Sequence, residues 1–208
     1  MITLKSLLFE TRIISTENSL LVGDITVYHG TTWTIAQNAK KGELKPINIT
    51  QSIIDLLINR FGESPEYAQN IVKKSLVLRR SDPPRLFLTP NKASAIGYAK
   101  CCSPYGGEST VDVLGNYFSE KRIPFENIAG MIQTKEPALI TITIPIKLLL
   151  THPHWNTPAI SRLRTIIQNT RKYEYRYTNK EDVLSQLNIE LFVDMPIPKQ
   201  YIQRIDKL

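Results

Sequence analysis

Cysteine is nearly absent: two in 208 residues, Cys101 and Cys102, side by side. Adjacent cysteines close no useful loop, which excludes a disulfide framework, and reduced thiols fit a cytosolic environment. No apolar run approaches the ~20 residues that a membrane-spanning helix needs, so no membrane partner is expected. Histidine is scarce too, at three. His152-Pro153-His154 is a possible metal pair, but no cysteine or carboxylate lies near it in sequence. Zinc-finger, helix-turn-helix and RNP signatures are missing. So are internal repeats and low-complexity tracts.

What is present is an ordinary globular composition, 42% hydrophobic and 22% charged, long enough to bury a core without staples. Lys and Arg number 26 against 19 Asp and Glu, a formal net charge of +7. The excess is concentrated. Ile71–Lys100 holds Lys73, Lys74, Arg79, Arg80, Arg85, Lys92 and Lys100 against Asp82 alone. Pro137–Tyr173 holds Lys147, Arg162, Arg164, Arg171 and Lys172 with no carboxylate. Two such stretches suit either solvated helix faces or one patch for an anionic partner.

Ile25–Tyr28 reads as a strand, followed by His29-Gly30-Thr31-Thr32. Thr32 caps a helix from Trp33 to Lys41, which Gly42 stops. Ser52 caps a second helix, and Ser64-Pro65-Glu66 starts a third running to Leu78. Arg85–Thr89 is a short strand, and Asn91 caps a helix through Lys100. A short helix is expected around Tyr117. Ala138–Ile144 is the strongest strand pattern, with Ile140, Ile142 and Ile144 alternating. Thr157-Pro158 predicts another helix start, and Lys172–Lys180 a loop before a short helix from Glu181. Ile189–Val193 predicts a late strand, and Tyr201–Ile205 a last short element. Strands and helices mix without a βαβ rhythm, which predicts an α+β fold with a mixed or antiparallel sheet. Residues 1–19 read as a leader and 20–208 as one domain.

Three features fall in order: Tyr28-His29-Gly30-Thr31 at a strand end; Phe87, then Tyr98 with ten residues between; and Glu190 within Asn188-Ile189-Glu190-Leu191-Phe192-Val193. Singly, each has a plain structural reading. A strand-end histidine suits a structural hydrogen bond, and the aromatic pair suits a core. Glu190 is trivial if it points outward; if it points inward it must be paired or functional, because an unpaired buried carboxylate is costly.

In this order the three features resemble the His-Tyr-Glu branch of the ADP-ribosyltransferases, the branch of diphtheria toxin and the poly-ADP-ribose polymerases. The small-residue helix with Ala93, Ala95 and Ala99, and the Met195-Pro196-Ile197-Pro198 turn, resemble that family too. The resemblance implies a split mixed or antiparallel sheet core with flanking helices. It implies NAD as substrate and cleavage of its nicotinamide–ribose bond. It assigns Glu190 to the ribose, where a carboxylate stabilises oxocarbenium-like charge. Tyr98, with Phe87 in place of the family's frequent tyrosine, would stack on nicotinamide. His29 would bind the adenosine ribose, and the Gly30–Thr31 backbone would meet the nicotinamide amide, glycine letting a ligand approach closely. Arg79, Arg80 or Arg85 would neutralise the diphosphate.

One position departs from the pattern. The residue two before the catalytic glutamate is Glu or Gln in many members that modify protein side chains; here it is Asn188. The resemblance also puts acceptor recognition on the preceding loop, with Tyr175 and Arg176. The expected acceptor is a bacterial host protein or nucleic acid. The first ten residues, MITLKSLLFE, resemble packaging signals of internal head proteins of tailed phages, cut after Glu10. That implies delivery from a phage head into the host cytoplasm as a toxin-like effector. Two rivals stand beside this reading: a catalytically silent nucleic-acid- or protein-binding module on the same fold, and a packaged phage structural protein.

Overall fold

The computed structural model describes residues 23–46, 49–76, 85–124, 135–151, 157–158 and 189–208. The leader, Arg79, Arg80, the His152/His154 pair, Tyr175, Arg176 and Asn188 lie outside them, as do the expected 172–180 loop and the helix from Glu181.

Strand β1 (Asp24–Thr32) runs antiparallel to β4 (Pro137–Pro145) over its whole length, Asp24 opposite Pro145 through Thr32 opposite Pro137. The His-Gly-Thr-Thr segment is therefore part of the strand and does not follow it. The strand runs past its expected end because nine pairs with β4 hold the glycine and threonines extended. On β4's other edge lies β9 (Ile202–Lys207), giving the order β1-β4-β9. A second sheet has the order β3-β7-β5-β6, from Leu86–Leu88, Leu191–Val193, Leu150–Thr151 and Thr157–Pro158. A small pair joins β2 (Glu43–Leu44) to β8 (Ile197–Pro198), so the Ile-Pro turn is a short strand. Every strand pairing here is antiparallel. The fold is α+β.

Thr157-Pro158 forms strand β6 on β5, and the body of the helix expected to start there lies outside the described residues. Proline's fixed φ suits an extended edge as well as a first helical turn.

Three helix starts form as their capping residues dictate. The Thr32 hydroxyl accepts from the Ile35 amide at the head of α1 (Trp33–Lys41). Ser64 accepts from Tyr67 at the head of α3 (Pro65–Ser75), and Asn91 accepts from Ser94 at the head of α4 (Lys92–Cys101). Helix α2 begins earlier than Ser52 and spans Ile49–Phe61. Helix α3 stops at Ser75, short of Leu78. The element around Tyr117 is a full helix, α5 (Glu108–Lys121). It buries Thr110, Val113, Leu114, Tyr117 and Phe118, the i, i+3, i+4, i+7, i+8 spacing of one helical face.

Burial divides into two clusters. One lies around the sheets and α1, with Ile25, Val27, Ala36, Ile140, Ile142, Ile144, Leu88 and Leu191. The other joins α2, α3 and α5 through Ile53, Leu57, Ile71, Leu114, Tyr117 and Phe118. Each large side chain so buried contributes about 1.5–3 kcal/mol. Glu63 locks the helical cluster, accepting from the Tyr117 hydroxyl at 2.8 Å and pairing with Lys121 at 2.7 Å. Among the described residues no helix is long and apolar enough to cross a membrane.

Candidate active site

The two larger sheets meet at one residue pair. Tyr28 donates its amide to the Thr89 carbonyl at 2.8 Å and accepts from the Thr89 amide at 3.0 Å. Along β1, odd-numbered residues turn their backbone groups toward β4, as Trp33 does toward Glu136. Even-numbered residues face the other edge. Gly30, two past Tyr28, therefore presents its N–H and C=O to that edge.

Continued by one step, the antiparallel register would set Gly30 opposite Phe87. The ladder instead ends, and the His29 imidazole takes its place: Nδ1 lies 2.8 Å from the Phe87 carbonyl oxygen. A carbonyl can only accept, so Nδ1 carries the proton and Nε2 of the neutral ring is left as an acceptor. The ring is partly buried, and this burial pushes the histidine pKa below its ordinary value; the bond to Phe87 opposes the shift without reversing it. Two of the three motifs expected to cooperate are thus joined by a hydrogen bond.

The third motif comes alongside through β7. Leu88 pairs with Leu191, so the next step sets Thr89 against Glu190. The strand proper begins at Leu191, and Glu190 is an exposed residue just before it. The strand is shorter than the one expected from Ile189. With Glu190 exposed, burial gives no argument for its function.

Alternation settles the faces. Leu86, Leu88, Leu191 and Val193 point into the main core. Phe87 and Phe192 are register partners on the opposite face, with ring centroids 6.4 Å apart. Glu190, two before Phe192, and Arg85, two before Phe87, belong to that same face. Phe87 is 47% exposed, whereas Phe192 is fully buried.

Tyr98 lies on α4, which packs against β1 with almost nothing between them. A Cβ on Gly30 would stand 2.3 Å from the Ala95 carbonyl oxygen and 2.9 Å from the Ala99 nitrogen. Gly30, Ala95 and Ala99 are small because the helix backbone rests on the strand. Tyr98 is 37% exposed, and its hydroxyl accepts from the Glu108 amide at 3.2 Å. Gly107, at the N-cap of α5, supplies no side-chain cap, so the Tyr98 hydroxyl serves that helix end. Thr31 is 5% exposed and pairs with Ala138, so its side chain belongs to the interior.

Sequence reasoning missed Arg85's special position and Phe192. The guanidinium of Arg85 lies over the Phe192 ring, 4.5 Å from its centroid. The spacing of two between Glu190 and Phe192 was the available signal. The Cys101 and Cys102 sulfurs are 3.1 Å apart, and burial, then the neighbouring Cys101, pushes the Cys102 thiol up to about 12. Among the described residues no group of three or more His, Cys, Asp or Glu is gathered for a metal. A groove of about 300 Å³ lined by Trp33, Gln37, Lys40, Lys41 and Ile205 contains none of the motif residues.

No family model, curated protein or solved structure matches the chain.

Proposed function

We propose that this chain is an NAD-dependent mono-ADP-ribosyltransferase. The observation that carries the reading is the His29–Phe87 hydrogen bond at the point where β1 and β3 part. It joins the first motif to the second beside the strand that follows Glu190.

In this reading nicotinamide stacks on Tyr98, with Phe87 nearby, and its amide pairs with the Gly30 backbone. His29 Nε2 accepts from a hydroxyl of the adenosine ribose. Glu190 holds a hydroxyl of the other ribose and faces the positive charge that develops as the glycosidic bond breaks. Nicotinamide leaves with the bonding electron pair. The acceptor's nucleophile attacks the anomeric carbon and releases its proton. The acceptor is a bacterial host protein or nucleic acid. Packaging in a phage head before delivery to the host cytoplasm is part of the same proposal.

The test is incubation with NAD labelled in its adenylate half and a bacterial lysate, followed by separation of protein, RNA and DNA. Nicotinamide release with label in one fraction is expected. Salt-sensitive nucleic-acid binding without NAD consumption would instead favour a silent binding module.

A further inference from the structure

Arg85 poses a problem of charge. An arginine side chain brings a full positive charge. The Nε and Nη1 atoms of Arg85 are buried and have no hydrogen-bond partner. A buried charge is costly unless it is paired and its donors are satisfied. The Phe192 ring answers one face of the guanidinium plane. The N–H groups point within that plane, so the ring does not satisfy them.

No carboxylate of the described residues supplies the acceptor. The β3–β7 register carries Asp194 opposite Arg85, yet Asp194 is exposed and forms no ion pair with it. Glu190, on the same face, does not pair with it either. No described residue supplies an acceptor to these two donors. The face that presents Arg85 also carries Phe87 and Glu190, the residues assigned above to nicotinamide and ribose.

We infer that Arg85 anchors the diphosphate of the dinucleotide, a role for which sequence alone left three arginines equivalent. This rests on the NAD reading above. A phosphate offers several oxygens to the two orphaned donors, and the contact is charge-assisted. The arginine is thus held ready on Phe192 before ligand arrives.

The test compares wild type with Arg85→Met and Arg85→Lys by titration calorimetry with ADP-ribose, nicotinamide and inorganic pyrophosphate, and by thermal melting. Methionine keeps apolar contact with Phe192 and removes the orphaned donors. The expected result is at least about a tenfold loss of ADP-ribose affinity in Arg85→Met. Nicotinamide affinity should be unchanged and the melting temperature equal to wild type or higher. Arg85→Lys should fall between, since a lysine is a point charge without the planar fork. Unchanged ADP-ribose affinity in a folded Arg85→Met protein would overturn the assignment. So would a large drop in melting temperature with nicotinamide binding lost as well, which marks a structural role. Loss of transfer with NAD and ADP-ribose affinity intact would move the anion to the acceptor and also overturn it. Wild type that binds pyrophosphate through Arg85 but neither nicotinamide nor NAD leaves the anion site standing and removes the NAD reading.

Discussion

The imidazole of His29 donates to the carbonyl of Phe87 at 2.8 Å, where a backbone amide would stand if β1 and β3 stayed paired. A side chain closes the ladder, and the strand edges beyond it come free. That substitution ties a conformational fact, the parting of two strands, to a protonation fact, the tautomer of one ring.

The protonation state gives the first prediction. Burial lowers the His29 pKa in the folded protein, so the unfolded chain binds the proton more readily. The neutral ring's contribution is complete above the unfolded value of ~6.5 and is lost as pH falls below it toward the folded value. Thermal melts across pH 8 to 5 should show wild type losing stability over this window. His29→Gln, which keeps a donor for Phe87, should lose less. A proton NMR titration of His29 with a midpoint above 6.5 would refute the assignment.

Glu190 is exposed, so changing it should leave the fold intact. Glu190→Gln should melt within about 0.5 kcal/mol of wild type. Nicotinamide release should fall by about a hundredfold or more, as when a group aimed at developing charge is removed. Normal turnover in that variant sinks the role given to Glu190.

Gly30→Ala tests how α4 is seated. The new Cβ would stand 2.3 Å from a main-chain oxygen, so helix or strand must move. A destabilisation of about 1–3 kcal/mol is expected by denaturant melts, as for other overpacked sites. A neutral result would mean that α4 is not held this closely.

Tyr98 separates its hydroxyl from its ring. Tyr98→Phe removes the acceptor for the Glu108 amide and should cost about 1 kcal/mol, as for a lost helix cap. It keeps a face for stacking, so nicotinamide release should stay within a few-fold. Tyr98→Ala loses both. Equal turnover in the Phe and Ala variants would remove the stacking role.

Much of the fold was legible where local chemistry decides it. Thr32, Ser64 and Asn91 each cap the helix that their side chains announce. The alternating isoleucines of β4 announce the central strand. Other features depend on partners distant in sequence. Thr157-Pro158 has no local strand pattern and is extended because β5 lies beside it. The extension of β1 through Gly30 depends on β4 more than a hundred residues away. The candidate site was legible as residue types and spacing. Its convergence at the Tyr28–Thr89 junction, and the selection of Arg85, required the strand registers. Periodicity told which residues alternate and not which strands are neighbours.

The nine-pair ladder between β1 and β4 has a consequence for error tolerance. His29 and Gly30 are consecutive, so their side-chain positions face opposite sides of one strand. A slip of a single residue would exchange every position between the two sides. It would drive the His29 or Thr31 side chain against the α4 backbone, where only a hydrogen fits. A strand well beyond the usual five or six residues makes such a slip forfeit many pairs at once. The length of β1 thus works as proofreading for a single dipeptide.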